Sequence, residues 1–139
     1  MLELPFRKKI PETRLAIEAI IEAGKAVMEI YKRGFSSTLK EDNSLLTEAD
    51  IKSNEIIQQI ISDSQHPILS EESIDNKERL KCKKIWIVDP LDGTSDFVNR
   101  TDEFTIMIAL IENNKPILGI VYWPVKNVIF LAQEGEGAY

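Results

Sequence analysis

The sequence contains one cysteine and one histidine in 139 residues. Cys82 cannot form an intramolecular disulfide, and so few thiol and imidazole groups argue against a zinc site. No apolar run approaches the roughly 20 residues needed to cross a bilayer. No apolar stretch follows the basic residues at 7–9, as one would in a secretory signal. These absences predict a cytoplasmic protein in a reducing compartment, with peripheral attachment to a membrane left open.

A basic surface is also missing, because the net charge is −6. Binding of a nucleic-acid polymer requires a basic face that displaces counterions, so this class is not indicated. The chain has no glycine-rich phosphate loop and no Gly-x-Ser-x-Gly elbow of a serine hydrolase. His66 has no partner at catalytic spacing and is interpreted as a loop residue. The acidic excess still suits a phosphate substrate if some carboxylates hold divalent cations, which reverse the local charge.

The residues that are present predict helices first and strands afterwards. Apolar positions recur every three or four residues over 12–32 and 47–64, which predicts two amphipathic helices. Polar residues at 40–44 predict a turn, and the charged segment 75–84 an exposed loop or helix. A short extended segment at 67–70 comes next. Alternating or apolar patterns then predict strands at 85–88, 104–112, 116–123 and 128–133, with a hairpin turn at 113–115. This order predicts an α+β domain with helices packed on an antiparallel sheet.

The most informative stretch is Trp-Ile-Val-Asp-Pro-Leu-Asp-Gly-Thr at residues 86–94. Asp89 and Asp92 lie three residues apart on a turn after a buried strand, so their carboxylates can converge with the carbonyl of Leu91. Oxygen ligands of this kind are preferred by hard cations such as Mg²⁺. Asp-Pro and Asp-Gly are also ordinary turn pairs, and for either aspartate alone that interpretation is favoured. The complete string favours metal binding.

Two acidic segments lie upstream of this turn. Glu71 and Glu72 follow the short extended segment; such a pair is usually a solvated acidic loop, but its position favours a supporting metal ligand. Thr47 and Asp50 have the spacing of a capping box at a helix start. The cap uses only part of the hydrogen-bonding capacity of Asp50, so its carboxylate can also reach a neighbouring loop.

Together, segments 46–50, 69–73 and 86–94 resemble the three N-terminal signatures of the inositol monophosphatase superfamily in order and spacing. Segments 92–97, 103–111 and 119–124 are more similar to one branch of this superfamily, the 3′(2′),5′-bisphosphate nucleotidases. Ser95 and Asp96 depart from that branch, in which Lys-Glu is usual. The family's C-terminal signature Trp-Asp-x-Ala-Ala-Gly, with its further metal-binding aspartate, does not occur in the sequence. We therefore expect residues 1–139 to form the N-terminal metal-binding domain of a layered αβαβα sugar-phosphatase-like fold, without the family's C-terminal domain.

The resemblance implies roles for individual residues. It implies that Glu71, Asp89, Asp92 and the Leu91 carbonyl bind Mg²⁺. Mn²⁺ could substitute for Mg²⁺, and a complete site would hold two or more ions. Glu71 and Thr94 would position a metal-activated water, and Asp50 would orient Thr94. Contacts to the substrate phosphate would come from Glu71, Leu91, Asp92, Gly93 and Thr94.

The resemblance also implies a magnesium-dependent phosphatase that removes the 3′-phosphate of adenosine 3′,5′-bisphosphate, or of its sulfated relative, in sulfate assimilation. Such enzymes are typically inhibited by lithium. Inositol monophosphate, or another small phosphate ester, is the alternative substrate. A third alternative is an inactive shortened product that binds metal or a partner chain. Because strands 104–133 would expose an apolar edge or face, we expect an oligomer or association through the exposed sheet.

Overall fold

The computed structural model describes residues 3–42 and 44–139. Helix α1 begins at a proline and ends before Gly34, whose φ of 92° stops the helix. Helix α2 begins with the predicted capping box, in which the Thr47 side chain accepts from the Asp50 backbone N–H and the Asp50 side chain accepts from the Thr47 backbone N–H. Both helices were predicted, although the last turn assigned to α2 is a separate 3₁₀ turn at Ser62–Ser64. The bounds are α1 Pro11–Arg33 and α2 Glu48–Ile61.

A six-stranded sheet lies against the two helices. Its strands lie in space in the order in which they follow along the chain, and the pairs from β4 to β8 are antiparallel. They are β3 Ile68–Ser70, β4 Lys84–Asp92, β5 Thr105–Glu112, β6 Lys115–Trp123, β7 Val128–Gln133 and β8 Gly137–Ala138. The predicted turn between β5 and β6 is made by Asn113 and Asn114, both at positive φ, as tight hairpins require. Strand β4 is longer than the predicted strand 85–88, and it includes Asp89 and Asp92 with a register irregularity between them. The chain reverses only at Gly93, so the aspartate turn, residues 89–94, consists of the irregular end of β4 and the reversal that follows it.

The sheet departs from the predicted antiparallel arrangement at one edge, where β3 runs parallel to β4. A parallel pair requires a connection that returns to the starting end of the sheet, and residues 71–83 provide it. A 3₁₀ turn at Glu78–Lys81 lies within this connection. Because the two strands are parallel, their carboxyl ends lie side by side at the same end of the sheet.

Four small elements were not predicted. Strands β1 Ser37–Leu39 and β2 Leu45–Thr47 form an antiparallel hairpin, joined by the predicted turn at 40–44, of which Asn43 lies outside the described residues. Helix α3 Thr94–Val98 follows the aspartate turn, and β8 occupies part of the C-terminal glycine-rich segment. Elements of two to five residues are too short to show a hydrophobic period, which explains why sequence patterns missed them.

The hydrophobic core lies between one face of the sheet and the helices. Trp86, Ile108 and Ile120 on the sheet and Ile20 and Ile57 on the helices are almost completely buried. The opposite face of the sheet is partly open, and its exposed apolar side chains include Ile87, Val128 and Phe130. None of the helices in residues 3–42 and 44–139 is both long and apolar enough to cross a membrane.

Candidate metal centre

The edge formed by β3 and β4 brings two predicted ligands together. Ser70 pairs with Val88 in the parallel register, and the Glu71 backbone N–H donates to the Val88 carbonyl at 3.3 Å. Glu71 therefore leaves β3 beside Asp89 of β4. Both residues line one cavity, although 18 residues separate them along the chain.

The turn after Asp92 depends on Gly93. Its φ is +85°, and a Cβ at this position would lie 2.9 Å from the backbone carbonyl oxygen of Glu103. Glycine thus allows the chain to reverse tightly into α3. This five-residue helix is held by Phe97, a fully buried ring that packs 5.0 Å from the Phe104 ring, centre to centre.

Asp50 connects the start of α2 to this turn. The side chain is fully buried. Its Oδ2 atom accepts from the backbone N–H and the hydroxyl of Thr47 at 2.9 and 2.6 Å. Its Oδ1 atom accepts from the Thr94 hydroxyl at 2.8 Å. One carboxylate therefore both caps its own helix and orients a side chain 44 residues away.

The electrostatic environment of Asp89 is strongly unfavourable to its charge. Burial, followed by the neighbouring Glu71 and Asp92 carboxylates, raises the pKa of Asp89 to about 7 from its ordinary 3.8. Its Oδ1 atom is buried and has no hydrogen-bond partner among the described residues. A buried acceptor without a partner is costly, so this atom is oriented for a partner other than those protein groups.

Lys40 is a site residue that the sequence did not indicate. It reaches from the β1–β2 hairpin and places its Nζ atom 2.5 Å from Glu72 and 3.7 Å from Glu71. Burial lowers the pKa of Lys40, but the Glu72 carboxylate outweighs this effect and the net pKa is raised. Burial raises the pKa of Glu72 more than Lys40 lowers it, because Asp50 and Glu71 add repulsion.

A cavity of about 460 Å³ opens at this edge and collects the predicted ligands and Thr94 in its wall. Within residues 3–42 and 44–139, no three His, Cys, Asp or Glu side chains are already gathered as a metal-binding group. Glu71 is turned partly to solvent, with 54% of its side chain exposed, and faces Lys40. The donors nevertheless fit a hard divalent cation, because all are oxygens and the buried Asp89 Oδ1 atom lacks a hydrogen-bond partner within these residues.

His66 occupies the loop position that was predicted and takes no part in this cavity. It lies 3.0 Å from Glu12 of α1, whose carboxylate also accepts from Lys84 at 3.0 Å. Burial would raise the pKa of Glu12, but the hydrogen bonds from His66 and Lys84 outweigh it and the pKa lies below its usual 4.5. This cluster ties α1 to the beginning of β4.

The chain resembles known proteins over most of its length. Residues 9–139 match the inositol monophosphatase family. The chain belongs to this family. The 3′(2′),5′-bisphosphate nucleotidase CysQ of Escherichia coli (strain K12) is 44% identical over 119 residues, which cover 82% of this chain and 48% of that protein. The chain thus spans about half the length of the curated relatives it matches.

Solved structures of this family share the fold. CysQ from Bacteroides thetaiotaomicron aligns with a TM-score of 0.78 and 44% identity, over 91% of this chain and 47% of its own. An IMPase/NADP phosphatase complexed with Mg²⁺ and phosphate aligns with a TM-score of 0.79 and 25% identity, over 91% of this chain and 49% of its own. These structures confirm the α+β phosphatase fold expected for this family member.

Proposed function

We propose that this chain provides the metal-binding part of a magnesium-dependent phosphatase that removes the 3′-phosphate of adenosine 3′,5′-bisphosphate or its sulfated form. The observation that carries the proposal is the hydrogen bond from Thr94 to Asp50 at the wall of a cavity that also collects Glu71, Asp89 and Asp92. The similarity to relatives named 3′(2′),5′-bisphosphate nucleotidase supports the choice of substrate.

The proposed ligands divide the work of holding Mg²⁺. Asp89 offers a buried oxygen that has no partner in the described part of the chain, while Glu71 and Asp92 are exposed and can rotate onto the ion. The Leu91 carbonyl is the fourth donor. When bound, the ion would neutralise phosphate charge and make water more acidic. Lys40 neutralises part of the acidic edge, and we expect it to move away from Glu71 as the cation binds.

Thr94 and Asp50 would orient the attacking water. Because the Thr94 hydroxyl donates to Asp50 Oδ1, the Thr94 oxygen can accept a hydrogen bond from a water molecule. Glu71 would accept a proton from that water at its carboxylate. The second oxygen of Asp50 remains bonded to Thr47, so the carboxylate that orients Thr94 is held on both sides.

The substrate phosphate would lie over the aspartate turn. Leu91, Asp92, Gly93 and Thr94 line the cavity next to Glu71, and we propose that their backbone groups contribute to phosphate binding. Gly93 allows the tight chain reversal that brings these residues into one wall of the cavity. The same features would accommodate inositol monophosphate, so the adenosine moiety must be recognised by contacts beyond this turn.

The open sheet face is proposed to associate with another polypeptide surface. Phe130 is 53% exposed and Ile87 is 39% exposed on this face, and exposed apolar patches of this kind are usually interaction sites. The variant Phe130→Ser should reduce the associated fraction measured by light scattering, whereas Glu134→Ser, on the same part of the chain, should not. Equal association of both variants and the parent would contradict this role.

Isothermal titration calorimetry, which measures binding of phosphate esters, tests the proposed metal-dependent substrate site. With Mg²⁺ present, adenosine 3′,5′-bisphosphate should bind more tightly than adenosine 5′-monophosphate, which lacks the 3′-phosphate, and than inositol 1-phosphate. Binding should require the metal and should be lost in Asp89→Asn. If none of the three esters shows metal-dependent binding, the proposed function is wrong. Phosphate release by the 139-residue chain should be weak, because we expect the described residues to supply ligands for one metal well and for a second only in part. Fast, lithium-sensitive release by a monomer would contradict that expectation.

A further inference from the structure

One face of α2 is bonded to both of the segments that carry the proposed acidic ligands. Asp50, Ser53 and Asn54 lie three and four positions apart, a spacing that places them on the same side of a helix. All three side chains are buried. Polar side chains on the buried side of a helix are unfavourable unless they are hydrogen-bonded, so their partners identify what this face does.

Ser53 holds the aspartate turn. Its fully buried hydroxyl donates to the Pro90 carbonyl at 2.6 Å. That carbonyl belongs to the planar peptide group that joins Pro90 to Leu91, one residue beyond Asp89. Fixing one end of a planar group fixes the direction of the other. Ser53 therefore fixes the peptide group that lies between Asp89 and the Leu91 carbonyl, and both of these residues line the cavity.

Asn54 holds the segment that carries Glu71. Its Oδ1 atom accepts from the Ser70 hydroxyl at 2.6 Å, and its Nδ2 atom donates to the Ser73 hydroxyl at 2.9 Å. These two serines lie on either side of Glu71. Gln58, one turn further along α2, donates to both Asn54 and Ser73, so the clamp is itself supported.

We propose that Ser53 and Asn54 are positioning residues that set the separation between the Asp89 and Glu71 carboxylates and thereby the affinity of the metal centre. The inference rests on the proposed function, because it assumes that these carboxylates bind a divalent cation. Neither residue faces the cavity, and neither is a ligand. Groups that orient metal ligands typically change metal affinity by 10- to 100-fold when they are removed.

Titration with Mn²⁺ alone, followed by electron paramagnetic resonance of the free ion, tests this role without an activity assay. Ser53→Ala and Asn54→Ala should each weaken Mn²⁺ binding about tenfold, and Ser53→Thr, which keeps the hydroxyl, should recover most of the loss. Ser62→Ala is the matched control, because Ser62 is exposed and its hydroxyl donates to the Gln59 carbonyl in the adjacent helical turn. Its affinity for Mn²⁺ should equal that of the parent chain.

Metal-free unfolding curves separate positioning from stability. A lower melting temperature with unchanged Mn²⁺ affinity in the two alanine variants would show a purely structural role and overturn the inference. If Ser53→Ala does not fold, Ser53→Cys, which keeps the size but weakens the donor, decides the same question. Failure of the parent chain to bind Mn²⁺ would overturn the proposed function and this inference together, whereas unchanged variants of a binding parent would overturn the inference alone.

Discussion

Replacing Asp89 by asparagine should stabilise the metal-free chain and at the same time abolish its stabilisation by Mg²⁺. The pKa of Asp89 is raised from 3.8 to about 7 by burial and by Glu71 and Asp92. Between these two pH values the unfolded chain ionises this carboxyl group while the folded chain keeps its proton. Stability therefore falls as the pH rises through this window, and the loss is complete above about pH 7.

The size of the effect follows from the shift. A change of about 3 pKa units corresponds to about 4 kcal/mol, but water in the open cavity screens the neighbouring carboxylates, so about 2 kcal/mol is expected. At pH 8 without metal, Asp89→Asn should raise the melting temperature by about 6 °C. Saturating Mg²⁺, at about 100 times its dissociation constant, should stabilise the parent by about 2.7 kcal/mol and the variant by nothing measurable.

Differential scanning calorimetry at pH 5 and pH 8, with and without Mg²⁺, measures both effects. Asp63→Asn provides the matched control, because it makes the same chemical change at an exposed position and should alter neither value. A lower melting temperature of Asp89→Asn at pH 8 without metal would refute the electrostatic argument. A Mg²⁺-induced shift in Asp89→Asn equal to that of the parent would refute the assignment of this residue as a ligand.

Three further substitutions test the fold around the site. Gly24→Ala would gain about 1 kcal/mol from helix propensity, but the new Cβ would lie 2.2 Å from a ring carbon of Tyr122. We expect the overpacking to be the larger effect and to lower the free energy of unfolding, measured with urea, by about 2 kcal/mol. Gly93→Ala, at φ +85° and against the backbone oxygen of Glu103, should cost about 2 kcal/mol and weaken the thermal shift caused by Mg²⁺. Because the pKa of Glu12 is lowered in the folded chain, Glu12→Gln should lose about 1 kcal/mol at pH 7; the deficit should shrink as the pH falls below 4.5, and a constant deficit would show that charge is not involved.

Much of the fold could be predicted because its larger elements carry a clear hydrophobic period. The 3.6-residue period identified both long helices, and alternation identified β5, β6 and β7 within one residue at each end. The positive-φ asparagines at 113 and 114 marked their turn. The parallel position of β3 could not be predicted, because a three-residue strand has no pattern that specifies a distant partner.

The site was predictable to a different extent for its different parts. Asp89 and Asp92 stand out because they share one turn, and the capping box of Asp50 is visible from local spacing. The family resemblance supplied the link from Asp50 to Thr94. Lys40 was missed, because nothing in a polar turn specifies that a lysine will meet an acidic pair more than 30 residues away.

The amino-acid sequence by itself determined the helices, the longer strands and the chemistry of the acidic turn, because these depend on neighbours within one or two turns of the chain. Tertiary structure decided which of those groups meet. The parallel alignment of β3 with β4 brings Glu71 to Asp89, and the packing of α2 against the sheet brings Asp50 to Thr94. The raised pKa of Asp89 is likewise a tertiary property, because burial and the approach of a distant carboxylate produce it.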